Sequence, residues 1–238
     1  MKLNLDNDFL SLLLDTKGAY IDSLSFNGKD VFFNREKIDY NGGLKDRGGC
    51  HVCMPQFSKA GNFDLPNHGF GRHIDWVIVE LTRKRVLLEA LNQQDGPYGN
   101  LMARLDYELL DNRFIATLIL LNKGEEDLCV SPAFHPYYKL GDKESLTVNG
   151  NDISAREERF VNTDYMENIN EVKINGFKLK VDNVNLPVFA LWSDMARDYF
   201  CLEPTYNGPS FFEGSGYYSL KPEEEMIFSF SIEVEEQQ

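Results

Sequence analysis

Apolar and polar positions alternate with a period of two along much of this chain. In EMIFSFSIEV (225–234), Met226, Phe228, Phe230, Ile232 and Val234 fall on one side and Ser229, Ser231 and Glu233 on the other, the pattern of a strand with one buried face. The run NRFIATLILLN (112–122) is largely apolar on both sides, which predicts a mid-sheet strand covered on both faces. The step Leu110–Asp111–Asn112 predicts its hairpin turn to LMARLDYEL (101–109). Asn-Gly pairs begin at 27, 41, 149, 175 and 207, and each can supply the positive backbone dihedrals of a tight hairpin. No segment carries an apolar repeat at helical spacing over three turns, and no internal repeat, linker or low-complexity tract interrupts the chain. The pattern predicts an all-β architecture, a large sandwich of antiparallel sheets with little helix, as one domain over residues 1–238.

Charge narrows the partners. The formal net charge is −14, which argues against nucleic acid and anionic membranes, both of which need clustered Lys and Arg. No apolar run approaches the roughly 20 residues of a membrane helix. The opening MKLNLDNDFL has polar residues where a signal peptide has its apolar core, so the expected location is cytoplasmic. The cysteines at 50, 53, 129 and 201 read as reduced, buried thiols, because the lone CxxC lacks the second ligand pair of a structural zinc site. Nothing in the sequence indicates an oligomeric state.

Three clusters depart from strand patterning. Lys45–Trp76 gathers Arg47, His51, His68, Arg72 and His73 among seven glycines and prolines, the kind of loop that holds polar groups still. SPAFHPYYKL (131–140) sets His135 in an aromatic run, and in DYFCLEPTYNGPSFF (198–212) Glu203 closes an apolar stretch before Pro204. Taken singly, such a histidine is a half-buried side chain and such a glutamate a solvent-facing strand end. Taken together, they can face each other across a concave sheet as acid and base, with pKa values set by their surroundings. His68, Arg72 and Arg47 would add donors for hydroxyls or an anion. His51, His68 and His73 could be proposed as metal ligands, but no H-x-x-x-H on a helix supports them. Neither a phosphate-binding loop nor a G-x-S-x-G elbow is present.

The blocks RGGCHVCMPQFSKAGNFDLPNHGFGRHIDW (47–76), SPAFHPYYKL, FCLEP (200–204) and SLKPEEEMIFSFSIEV (219–234) resemble, in order, those of the aldose 1-epimerases, or mutarotases, most closely the hexose-6-phosphate 1-epimerase-like branch. The resemblance implies a galactose mutarotase-like supersandwich and cofactor-free, metal-free interconversion of the α and β anomers of a hexose or hexose 6-phosphate. It implies Glu203 as general base, His135 as general acid and His68 as a ligand of sugar oxygens. Arg47 and Arg72 match positions facing the anionic group of a phosphosugar. Asp194 is the candidate for the aspartate that holds a ring hydroxyl, with Asp164 as the other possibility. A non-catalytic carbohydrate-binding protein on the same fold is the alternative.

Overall fold

The computed structural model describes residues 1–40, 42–59, 65–90, 96–142, 145–214 and 216–237. Among these, two nine-stranded sheets account for most of the chain, and every pairing along each sheet's strand order is antiparallel. The first sheet runs in the order Lys2–Asp6, Leu10–Asp15, Tyr20–Phe26, Cys50–Cys53, Ala133–Lys139, Tyr199–Thr205, Val188–Trp192, Asp164–Glu167, with Lys29–Asp30 paired to Tyr20–Phe26. At the centre of the second sheet, Glu225–Glu236 lies between Phe177–Val184 and Arg113–Asn122, and Arg113–Asn122 pairs in turn with Leu101–Leu110. Helix among the described residues is limited to two 3₁₀ turns and the four residues Ser210–Glu213.

One apolar core lies between the sheets. Leu12, Leu14, Val52, Phe134 and Phe200 of the first sheet meet Leu105, Phe114, Leu118, Phe228 and Phe230 of the second. Ring centroids of Phe134 and Phe230 are 5.0 Å apart, and the Tyr107 hydroxyl donates to the Ala19 carbonyl at 3.0 Å. The expected inward set of Glu225–Glu236 is found: Phe228, Phe230, Ile232 and Val234 are buried, and Met226 is half-buried. Leu110 pairs with Arg113 across the predicted turn, where Asp111 has φ 51°.

Three of the five Asn-Gly pairs, at 27, 149 and 175, make two-residue hairpin turns with both residues at positive φ. Asn41 lies outside the described residues. Asn207–Gly208 instead leads into Ser210–Glu213, with the Gly208 amide donating to Thr205 Oγ1 at 2.7 Å.

The strand expected to be covered on both faces is not the one that is. Arg113–Asn122 is central, yet only its inner residues are buried. Its outer residues Ile115, Ile119 and Leu121 are only half-buried, and ion pairs such as Arg113–Glu233 (2.8 Å) and Lys180–Glu233 (2.7 Å) lie at one end of this face. The strands buried on both faces are Cys50–Cys53, Ala133–Lys139, except for Lys139, and Tyr199–Thr205. Their even-numbered residues Phe134, Tyr138, Phe200 and Leu202 enter the core. Their odd-numbered residues face the other way, where His135, Tyr137 and Glu203 form the floor of a hollow and Tyr199 and Cys201 pack with Tyr137 in a small buried cluster.

Candidate active site

Strand pairing alone sets the central geometry. Ala133 opposes Thr205 and Tyr137 opposes Cys201, so His135 comes opposite Glu203. On its other edge His135 opposes His51. The His135 Nε2 lies 3.2 Å from Glu203 Oε2, and the two residues are 4% and 1% exposed, which places both groups out of bulk water. They stand side by side on the floor rather than across a concavity. This suits a hemiacetal, whose two reacting oxygens are bonded to one carbon and must be served by neighbouring groups. Neither His135 Nδ1 nor Glu203 Oε2 has a hydrogen-bond partner of good geometry, so the pair retains bonding capacity for a ligand.

The loop before Arg72 brings His68 over this floor. Gly69 and Phe70 are tied back by the Pro66 and Met54 carbonyls, at 2.8 Å each, and the Gln56 side-chain amide donates to Pro66 O at 2.9 Å. At Gly69 (φ 66°) a Cβ would fall 1.9 Å from the Met54 carbonyl oxygen, so only glycine admits this close approach. His68, itself at φ 64°, is held with its ring 5.2 Å from that of His135 and 5.5 Å from Phe57. Its buried Nδ1 has no partner. Phe63 and Asp64, earlier in the same stretch, lie outside the described residues.

Arg47 and Arg72 are held in different ways. The Arg47 Nε donates to Asp194 Oδ2 at 2.8 Å, and the Tyr199 hydroxyl donates to the other carboxylate oxygen of Asp194. Asp194 thus holds Arg47 and is not among the residues lining the hollow; Asp164 pairs with Arg159 at 2.9 Å and does not line it either. Arg72 meets only neutral acceptors: Asn67 O at 3.1 Å, His73 Nε2 at 3.3 Å and His51 Nε2 at 3.4 Å. Because a guanidinium only donates, His51 accepts at Nε2 and carries its proton on Nδ1, toward Cys53 Sγ at 3.7 Å.

The hollow has a volume of about 560 Å³, within the roughly 300–1,000 Å³ of small-molecule sites. His68, Arg72, His135 and Glu203 all line it, as does Arg47. Tyr137 and Trp192 add aromatic walls suited to a pyranose face, whereas Trp76 and Tyr138 belong to the core. Lys45 and Lys59, which carry no sequence motif, stand on the rim. Among the described residues no carboxylate lies within 4.0 Å of Lys45, Lys59 or Arg72. A chain with a net charge of −14 therefore surrounds this cavity with uncompensated positive charge.

Burial drives the pair toward neutrality. It raises the Glu203 carboxyl well above its ordinary range, with Arg72 opposing. It also lowers His135 well below the usual imidazole value, with the charges of His68, Arg72 and Arg47 acting in the same direction. His68 is lowered to about 3, chiefly by burial and then by Arg72. His51 falls well below its ordinary value through burial, His135 and Arg72. Among the described residues, His135, Cys201 and Glu203 hold possible metal-donor atoms within 4.8 Å of one another. The Cys201 thiol is pushed well up by burial and then by Glu203, and with two guanidiniums on the same wall the set is suited to protons rather than to a cation.

The fold is that of the galactose mutarotase-like proteins. A solved galactose mutarotase-like protein from Lactobacillus casei matches 99% of this chain and 100% of its own, with a TM-score of 0.80 at 14% identity. The aldose 1-epimerase family profile matches residues 1–194, and the chain belongs to that family. Proteins named "Putative glucose-6-phosphate 1-epimerase" from Escherichia coli K12 and Salmonella typhimurium are 26% and 25% identical over 183 and 144 residues. Those stretches cover 71% and 56% of this chain, and the chain spans about half the length of these relatives, 58% and 47%. No helix among the described residues is long and apolar enough to cross a membrane.

Proposed function

We propose that the protein is an aldose 1-epimerase acting on a hexose 6-phosphate, with Glu203 and His135 as its base and acid. The observation that carries the reading is the buried His135–Glu203 contact at 3.2 Å on the floor of a cavity rimmed by cations without acidic partners. Imidazolium with carboxylate, and imidazole with carboxylic acid, are two arrangements of the same single proton. Burial of both groups favours the second. Sugar hydroxyls that hydrogen-bond the carboxylate and the imidazolium make the first accessible when the substrate is bound.

From that first arrangement, Glu203 accepts the proton of the anomeric hydroxyl while His135 delivers its proton to the ring oxygen. The C1–O5 bond breaks and C1 becomes an aldehyde. Rotation about C1–C2 presents the other face, and closure runs both transfers backward, restoring the starting pair. Neutral His68, which lines the cavity with its ring beside that of His135, hydrogen-bonds a sugar hydroxyl, and Tyr137 and Trp192 confine the ring. Arg47, steadied by Asp194, and Arg72 meet the anionic group.

The phosphorylated substrate is preferred on electrostatic grounds. Charges spread over the surface are screened within about 8 Å, whereas a unit charge pair at 4 Å and an effective dielectric of 20 is worth about 4 kcal/mol, so Arg72, Lys45 and Lys59 outweigh the distant acidic surface. The names carried by the E. coli and Salmonella relatives point the same way.

The test is polarimetry of freshly dissolved α-glucose 6-phosphate and α-glucose with wild-type protein and with Glu203→Gln. Wild type should speed the approach to equilibrium, more for the phosphosugar, and the variant should lose on the order of 10²–10⁴-fold with an unchanged melting temperature. Binding without acceleration would make the protein a sugar-binding module instead.

A further inference from the structure

Behind Arg72 and Arg47 a second hollow of about 650 Å³ opens beside the first. It shares Lys45, Arg47 and Arg72 with the sugar cavity and adds Lys17, Arg35 and Lys37; its carboxylates are Asp15 and Asp46. Six cations thus face two acids in a chain that has 38 acidic residues to 24 basic ones.

Both acids are already engaged. Asp15 meets Lys2 at 3.2 Å, and Asp46 meets Arg35 at 3.6 Å and Lys37 at 3.5 Å; Arg35 is also paired with Asp22 at 3.4 Å and Arg47 with Asp194 at 2.8 Å. Lys17, Lys45 and Arg72 have no carboxylate within 4.0 Å among the described residues.

The wall is also built rather than frayed. The Arg35 guanidinium carbon lies 3.8 Å from the centre of the Tyr20 ring, and the Tyr20 hydroxyl donates to Gly48 O at 3.1 Å, next to Arg47. Lys17 is carried to the Arg72 loop by Gly18 (φ 73°), whose amide donates to Ile74 O at 2.7 Å. A Cβ at that position would fall 2.3 Å from the Arg72 carbonyl oxygen. Arg35 and Lys37 are held in place by Asp22 and Asp46, whereas the epimerase reading gives the unpaired Lys17 no role.

We propose that this second hollow binds a phosphate-class oxyanion, with the unpaired Lys17 as its own ligand, Lys45 and Arg72 as groups shared with the sugar cavity, and Arg35 and Lys37, held by Asp22 and Asp46, adding positive charge to its wall. Arginine forks and lysine point charges are the side chains that recognise such anions. Sharing Arg72 couples the two cavities: an anion in the second hollow places like charge beside a sugar phosphate, so the two weaken each other reciprocally, while an unphosphorylated hexose is unaffected. The anion has two possible sources, a free anion or the phosphoryl group of the sugar reaching through. The site is independent of turnover and is read by binding alone.

The experiment is calorimetric titration of pyrophosphate, and separately of glucose 6-phosphate, into wild type and a Lys17→Ala/Lys37→Ala double variant at fixed ionic strength. These two exposed lysines lie outside the sugar cavity, so the fold should be preserved, as checked by thermal melting. The inference expects saturable one-to-one pyrophosphate binding that weakens at least about tenfold in the double variant. Unchanged glucose 6-phosphate affinity in that variant identifies a free anion as the occupant; a matching loss identifies the sugar's own phosphoryl group. Absence of saturable pyrophosphate binding, or binding indifferent to the two substitutions, overturns the inference even if the protein proves to be an active epimerase.

Discussion

Replacing Arg72 with methionine should separate recognition of the phosphate from proton transfer. The guanidinium is held by Asn67 O, His73 Nε2 and His51 Nε2, all neutral, so its charge is available to a ligand. A charge-assisted hydrogen bond contributes about 1.5–3 kcal/mol, which converts to a loss of roughly 10- to 150-fold in kcat/KM for glucose 6-phosphate. For glucose the loss should stay within about threefold, because what remains is the through-space effect of Arg72 on Glu203 and His135. Arg72→Lys should recover part of the phosphosugar loss, since it keeps the charge but not the fork. Initial polarimetric rates on both sugars, with melting temperatures as a control for folding, provide the assay. Equal losses on the two substrates would refute the phosphate-reading role, as would an Arg72→Met variant that handles glucose 6-phosphate normally.

Other predictions follow from the same geometry. Acidification should destabilise the fold: His51, His68 and His135 are all lowered, so below about pH 6.5 the unfolded chain binds three protons that the native state refuses. Glu203, raised in the native state, holds one proton in the opposite sense above about pH 4.5. The net difference of two protons gives a fall of about 2.7 kcal/mol per pH unit near pH 5.5, and a urea midpoint that stayed constant or rose from pH 7 to 5.5 would contradict it. Gly69→Ala must move the Met54 carbonyl and should cost about 1–3 kcal/mol, seen as a drop in Tm of about 2–4 °C per kcal/mol, with activity falling as His68 is displaced. Lys45→Ala/Lys59→Ala should raise KM for glucose 6-phosphate and flatten its dependence on ionic strength while leaving glucose unchanged.

The period-two alternation of Glu225–Glu236 and the hairpins at Asn27, Asn149 and Asn175 were legible because each depends on neighbours in sequence. His68, Arg72, His135 and Glu203 were legible as polar residues interrupting apolar or glycine-rich runs. His51 was visible in the loop cluster, but its place beside His135 depends on strand register between segments about 84 residues apart. Its signal was present in the short run Cys50–Cys53, where Cys50 and Val52 face the core and His51 and Cys53 face the site. The partner of Asp194 was hidden for the same reason, since Arg47 lies 147 residues away. At Arg113–Asn122 the outer residues Ile115, Ile119 and Leu121 are as apolar as those of a covered face, yet they are only half-buried, because composition alone does not say what packs on a sheet's outer side.

The central claim is that His135 and Glu203 work as one proton-carrying unit, and magnetisation-exchange NMR between the α and β anomeric protons of glucose 6-phosphate tests it directly. With wild type, His135→Asn, Glu203→Gln and the double variant at one protein concentration, the account predicts acceleration by wild type, its loss in each single variant, and a double variant no slower than either. Single variants that keep the wild-type exchange rate, or losses that multiply in the double variant, would contradict it.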